Sequence, residues 1–237
     1  MKYLLYLCLF FISSLLYAEI RSEIHTIKLG DTPVQIVREG ESGNTFVHLH
    51  ENERTALKAA ERFIAQQGGT LITLRHSGQR NIVFRINKVT YQFDPNRIFT
   101  DQGIKKTLRQ YGPYSGAAHR EVKRLAQGII RLIPPGKVIA VHNNKGYSMT
   151  DYFPGHPLAR DAKAWHHPPG TNTRNFYFVT RYQEYLRLKK LKYNVVLQAD
   201  HAQNDGSLSY YLAGNNYINI ESAHGQLDAQ FKMLNHT

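Results

Sequence analysis

Short runs of alternating apolar and polar residues, broken by longer helical repeats, cover most of this chain. HTIKL (25–29) and PVQIVRE (33–39) alternate residue by residue around a GDT turn, the pattern of two strands. NTFVHL (44–49) reads as a third strand. The period then changes: in ERTALKAAERFIAQQ (53–67), Leu57, Ala60, Phe63 and Ile64 fall on one helical face, and Gly68–Gly69 ends the run. TLITLRH (70–76), RNIVFRI (80–86) and VTYQFD (89–94) return to strand spacing, the last two joined at Asn87–Lys88. Helical spacing follows over 104–112 and 117–133, then the short apolar strand VIAV (138–141). Residues 143–175 carry many Gly, Pro, Asn and His and little periodicity, so a long functional loop is expected there. Helix is expected in the second half of 176–192, strands at 193–199 and 217–221, and a terminal helix over 222–234. Alternating strands and helices with no internal repeat imply an α/β sandwich around a mixed, mostly parallel sheet.

The N-terminus stands apart from this pattern. Residues 1–18 combine a short positive start, a nearly continuous apolar run and Ala18 before a polar segment, which is the layout of a secretory signal peptide. Cleavage there would leave one domain over 19–237, periplasmic or secreted, with no stable membrane anchor. The single cysteine, Cys8, lies inside that run, so the remaining chain has no disulfide framework, thiolate metal site or cysteine nucleophile. Any metal site must be built from His, Asp and Glu. The formal charge of +12 suggests an anionic partner such as a cell-wall or other acidic peptide. No zinc knuckle, helix-turn-helix signature or basic-aromatic repeat points to nucleic acid, and the one dense basic cluster, RLKKLK (187–192), reads as a solvated helix face.

Candidate chemistry gathers where strands end. HLHENE (48–53) places four possible ligands at one strand-to-helix junction. His48 and His50 share a side if the strand continues; His50 and Glu53 share a face if the chain turns helical after His50, with Asn52 as a possible cap. Glu51 reads as a solvent-facing neighbour. His142 follows the apolar strand VIAV and is a candidate third ligand, since catalytic zinc needs three protein ligands and one open position. In DPNR (94–97), Asn96 and Arg97 suit a substrate carboxylate, and Asp94 can take the free ring N–H of a metal-bound histidine. Arg80 is a candidate to polarise a carbonyl; Arg85, inside an apolar strand, is less favoured. Glu221, after the strand YINI, is a candidate general base.

Together these pieces resemble the zinc carboxypeptidase superfamily, which includes metallocarboxypeptidases and the aspartoacylase and succinylglutamate desuccinylase deacylases. The family's H-x-x-E, arginine, D-x-N-R, later histidine and C-terminal glutamate map in order to His50 and Glu53, Arg80, Asp94 to Arg97, His142 and Glu221. The resemblance implies a three-layer sandwich with a mixed, mostly parallel central sheet. It implies Zn2+ on His50, Glu53 and His142, with Asp94 orienting His50, and Asn96 and Arg97 on the substrate carboxylate. Arg80 would sit at the scissile carbonyl and Glu221 would activate water. A mobile tyrosine would be Tyr147, Tyr210 or Tyr211. The expected activity is cleavage of an amide bond beside a free carboxylate, by a carboxypeptidase acting on a peptidoglycan-type or other anionic peptide. The alternatives are an N-acyl amino acid deacylase, a metal hydrolase using His48 and His50 on a barrel, and a non-catalytic cell-wall-binding module.

Overall fold

A computed structural model describes residues 22–41 and 43–237. The expected signal segment (1–18) and Cys8 lie outside the described residues. A hairpin opens the fold: β1 (Ser22–Leu29) and β2 (Thr32–Glu39) pair antiparallel. Next come β3 (Thr45–His48), α1 (Arg54–Gln67) and β4 (Thr70–Arg75). A second hairpin, β5 (Ile82–Ile86) and β6 (Val89–Phe93), forms its own small sheet. Asn87 and Lys88 turn it with φ of 49° and 68°, the paired positive angles of a two-residue type I′ loop. Then follow α2 (Asp101–Tyr111), α3 (Gly116–Leu132), β7 (Val138–Asn144), β8 (Ala162–His166), β9 (Phe176–Val179) and α4 (Tyr182–Lys190). The chain ends with β10 (Val195–Gln198), the one-turn α5 (Leu208–Tyr211), β11 (Tyr217–Ala223) and α6 (Leu227–Leu234).

Nine of these strands make one sheet among the described residues, in the order β1-β2-β4-β3-β7-β11-β9-β10-β8. The central four, β4, β3, β7 and β11, run parallel, as do β9 and β10, while both edges are antiparallel. Period-two alternation divides the central residues between two cores. Ile139, Val141, Ile218 and Ile220 face α1, α4 and α6. Val138, Ala140 and Tyr217 face the opposite layer, with α2, α3 and the β5–β6 hairpin. The result is the expected three-layer α/β sandwich with a mixed sheet, parallel at its centre.

This arrangement positions the chemistry. Parallel neighbours bring their carboxyl ends to one sheet edge. β3, β4, β7 and β11 therefore deliver the residues after His48, the loop after Arg75, His142 and Glu221 to the same place. His142 and Glu221 are partners in the β7–β11 register. Both belong to the alternating set that faces the α2–α3 layer.

The aperiodic stretch 143–175 holds more structure than its sequence pattern signals. Two short 3-10 turns (Met149–Tyr152 and Ala159–Asp161) lead into β8, which closes the sheet edge against β10. Met149 and Tyr152 bury against Phe176, Phe178 and Val196 in a third, smaller core. β8 escaped the pattern because an edge strand buries little, and AKAWH has no buried alternation to betray it.

Candidate metal centre and its pocket

The chain leaves β3 at His48 and turns sharply. Glu53 donates its backbone N–H to the carbonyl of His50 (2.9 Å), and α1 starts at Arg54. Glu53, not Asn52, is the helix-capping residue, and its carboxylate makes no cap bond. It is free to face His50 and His142. Glu53 Oε1 lies 2.9 Å from His50 Nδ1, Glu53 Oε2 lies 3.0 Å from His142 Nδ1, and the two Nδ1 atoms are 3.1 Å apart. All three residues are buried.

Several observations fit this triangle to a cation. Zinc bonded tetrahedrally at 2.0–2.1 Å needs ligand atoms about 3.3 Å apart, close to the separations here. Two imidazole Nδ1 atoms this close cannot both carry protons. His50 Nε2 donates to Asp94 Oδ1 (2.7 Å), which fixes the tautomer and leaves its Nδ1 lone pair pointing at the centre. The electrostatics also call for positive charge. Burial disfavours a charged His50, yet the Glu53 and Asp94 carboxylates outweigh it and push its pKa up to about 9. Burial opposes ionisation of Glu53 as well, but His50 and His142 hold its carboxyl well below the ordinary range. His50, Glu53 and His142 thus have the donors, spacing and field to hold a metal ion.

His48 is not part of this set. Its Nδ1 accepts from the Thr73 hydroxyl (2.9 Å), and its Nε2 donates to the Glu53 carbonyl (3.1 Å). Burial lowers its pKa to about 4, which keeps it neutral. The histidine pair His48–His50 therefore never forms a chelate: the strand ends between them, and His48 instead holds the backbone that carries Glu53.

Glu51 does not face solvent freely either. Its Oε2 accepts the backbone N–H groups of His76, Ser77 and Gly78 at 2.8, 2.8 and 2.6 Å. That clamp orders the loop after β4, which carries Arg80. Arg80 Nη1 donates to Glu53 Oε1 (2.5 Å), and Nη2 lies 3.4 Å from Asp94 Oδ2. Arg80 is thus brought to the centre but is paired with Glu53. Arg85 is remote, bridged to Asp31 at 3.0 Å on the exposed hairpin.

Asp94 leaves β6 and caps the 3-10 turn Pro95–Arg97 by accepting from the Asn96 backbone N–H (2.8 Å). The Asn96 side-chain oxygen accepts from Leu208 N–H (3.1 Å), which leaves its amide nitrogen for a carboxylate. Arg97 Nη1 donates to the Asn96 carbonyl (2.8 Å) and lies 3.6 Å from Asp205 Oδ2. A close backbone crossing sets this corner. A Cβ on Gly103 would come within 2.3 Å of Gly206 Cα and 2.7 Å of the Arg97 carbonyl oxygen. No periodic signal marks such a glycine.

Glu221 accepts from Asn144 Nδ2 (3.2 Å) and Asn219 Nδ2 (3.2 Å). Burial, and then the charge of Glu53, raise its pKa, while His142 and the two amides oppose the rise. His50, Glu53, Arg80, Asn96, Arg97, His142 and Glu221 all line one cavity of about 690 Å³. Tyr147 and Tyr210 line it too; Tyr211 packs instead on Phe99 (ring centroids 6.3 Å).

Supporting groups that sequence reasoning missed lie behind the site. Asn143 donates its backbone N–H to Glu53 Oε2 (3.0 Å), its side-chain oxygen accepts from Ala56 N–H (2.7 Å), and its amide donates to Gln230 (2.8 Å). Gln230 in turn donates to the His142 carbonyl (3.0 Å). Only the neighbouring VIAVH strand hinted at Asn143; nothing in the sequence pattern linked it to Gln230.

No protein-family model matches the chain, and no curated protein matches it. Among solved structures, it is similar to an aspartoacylase family protein from Mesorhizobium loti, with a TM-score of 0.45 and 15% identity over 92% of this chain. The chain spans 65% of that protein's length.

Proposed function

We propose that this protein is a zinc-dependent hydrolase that cleaves an amide bond beside a free carboxylate, acting as a carboxypeptidase on an anionic peptide. The observation that carries the proposal is the convergence of His50, Glu53 and His142 on one point of a cavity that also holds Glu221 and Arg97. Held by those three residues, zinc would supply Lewis-acid polarisation and acidify water. The chain's own groups do the rest. Asn96 and Arg97 hold the substrate carboxylate, Arg97 through the charge and fork geometry of its guanidinium. Asp94 keeps His50 in the tautomer that presents Nδ1. Glu221, its pKa raised by burial, takes a proton from the attacking water as the oxygen adds to the carbonyl carbon. Arg80, released from Glu53, donates to the developing oxyanion. As the C–N bond breaks, Glu221 returns the proton to the leaving nitrogen. The basic composition and apolar N-terminal segment support an exported enzyme working on cell-wall or other acidic peptides.

Metal content and hydrolysis of the wild type and of Glu53→Ala, His142→Ala and Glu221→Ala test this reading. The first two variants lose metal, and the third keeps metal but loses turnover. Stoichiometric metal and full activity in all three would overturn the assignment. Product identification separates a released C-terminal amino acid from the free acid that an N-acyl deacylase would release.

A further inference from the structure

Part of the cavity wall presents hydrogen-bond acceptors that nothing in the protein satisfies. Asn219 Oδ1 and Gln198 Oε1 are buried without a partner, and both residues are more than nine-tenths buried. Such groups are costly in a folded protein unless a ligand or solvent completes them. The Asn219 orientation is chemically determined. Its Nδ2 donates to Glu221 Oε1 (3.2 Å), and the reversed amide would set two oxygens against each other.

Register places these residues around one apolar floor. Asn219 pairs with Phe178 across β11–β9, and Phe178 pairs with Val196 across β9–β10. Gln198 is two residues further along β10, just past an irregularity in its pairing with β8, and lines the same cavity as Phe178 and Asn219. Carboxylates border the same region. Asp161 lines the cavity, its Oδ1 accepting from Gln203 N–H (2.7 Å), and the next residue, Ala162, pairs with Gln198. Asp205 also lines the cavity, 3.6 Å from Arg97. Tyr152 registers both: burial first, then Glu221, Asp161 and Asp205, raise its hydroxyl pKa, against the hydrogen bond from Tyr147. Of the cations lining the cavity, Arg80 is held by Glu53 and Asp94, Arg97 faces Asp205, and Lys145 is exposed.

We infer that this wall is a specificity subsite for a diamino acid: the residue released by cleavage carries a side-chain ammonium, seated by Asp161 and the amide oxygens of Gln198 and Asn219. The inference rests on the proposed hydrolase reading and names its substrate class. The methylene stem lies over Phe178, the carboxylate engages Arg97, and the ammonium supplies the donors the wall lacks. A terminal methyl group would bury the same oxygens unpaired, which sets the expected discrimination at about tenfold to a hundredfold.

The test compares N-acetyl-glycyl-lysine with N-acetyl-glycyl-norleucine, whose side chains share the same four carbons and differ in the terminal ammonium. Two readouts are taken: kcat/KM with metal-loaded wild type, and calorimetric binding to metal-loaded Glu221→Gln, which needs no turnover. The lysine peptide is expected to exceed norleucine at least tenfold in both. Asp161→Asn and Gln198→Met should each cut that ratio severalfold. Preferential lysine binding that both variants diminish, in a protein that hydrolyses neither peptide, would support the subsite and refute the hydrolase. Equal or better use of norleucine, a preference that survives both substitutions, or no binding of either peptide at millimolar concentration would overturn the subsite.

Discussion

Replacing Glu51 with alanine removes the carboxylate whose Oε2 alone accepts three successive backbone N–H groups. Those donors belong to His76, Ser77 and Gly78, and the loop they order carries Arg80. A hydrogen bond to a charged acceptor is worth about 1.5–3 kcal/mol net when shielded. Here water can replace the carboxylate at the exposed loop, so the combined loss is roughly 2 kcal/mol. That shifts the loop's clamped population about thirtyfold. Metal content should stay at the wild-type level, because Asp94 holds His50, His48 and Asn143 hold Glu53, and Gln230 holds the His142 backbone. Under the proposed mechanism turnover should fall tenfold or more, because Arg80 would no longer meet the carbonyl in a fixed pose. Hydrogen exchange over 76–80, kcat and metal content are the measurements, with Glu51→Gln as an intermediate that keeps one neutral oxygen. Unchanged exchange over 76–80, or unchanged kcat with faster exchange, would refute the chain of reasoning from Glu51 to Arg80.

Further expectations follow from neighbouring contacts. Asp94→Asn keeps the shape but not the charge that faces His50 Nε2, so zinc affinity measured by chelator competition should fall about tenfold to a hundredfold. Gly103→Ala drives a methyl group into the Gly206 backbone and the Arg97 carbonyl; it should lower stability by about 1–3 kcal/mol in urea unfolding and raise KM more than it lowers kcat. His48 sets a pH dependence whose sign is definite. Its folded pKa, about 4, lies below the ordinary 6.5, so the unfolded chain binds the extra proton. The His48 contribution to stability is therefore full above pH 6.5 and is lost as pH falls towards 4, by up to about 3 kcal/mol, and His48→Gln should flatten that part of the unfolding-versus-pH curve.

Much of the site was legible because the fold obeys simple periodicities. Strand ends announced themselves as apolar runs followed by polar residues, so His142 after VIAV and Glu221 after YINI stood out as edge residues. The spacing His50-x-x-Glu53 and the run Asp94 to Arg97 are local, and local geometry survives into any fold that contains them. The sequence by itself therefore determined the α/β class, the residue types available to a metal and the order in which they arrive. It did not determine their division of labour. Whether His50 pairs with His48 or with Glu53 depends on where β3 stops, and β3 stops at His48 because its pairing with β4 reaches only as far as Thr73. Glu51 looked like a solvent-facing neighbour until the β4 loop folded over it. The amide chain from Asn143 to Gln230, the Gly103–Gly206 crossing and the unpaired oxygens of Gln198 and Asn219 join residues far apart in the chain. Such contacts are set by strand order and register, which place side chains in space through backbone hydrogen bonds between distant segments, and no window of sequence contains both halves of the bond.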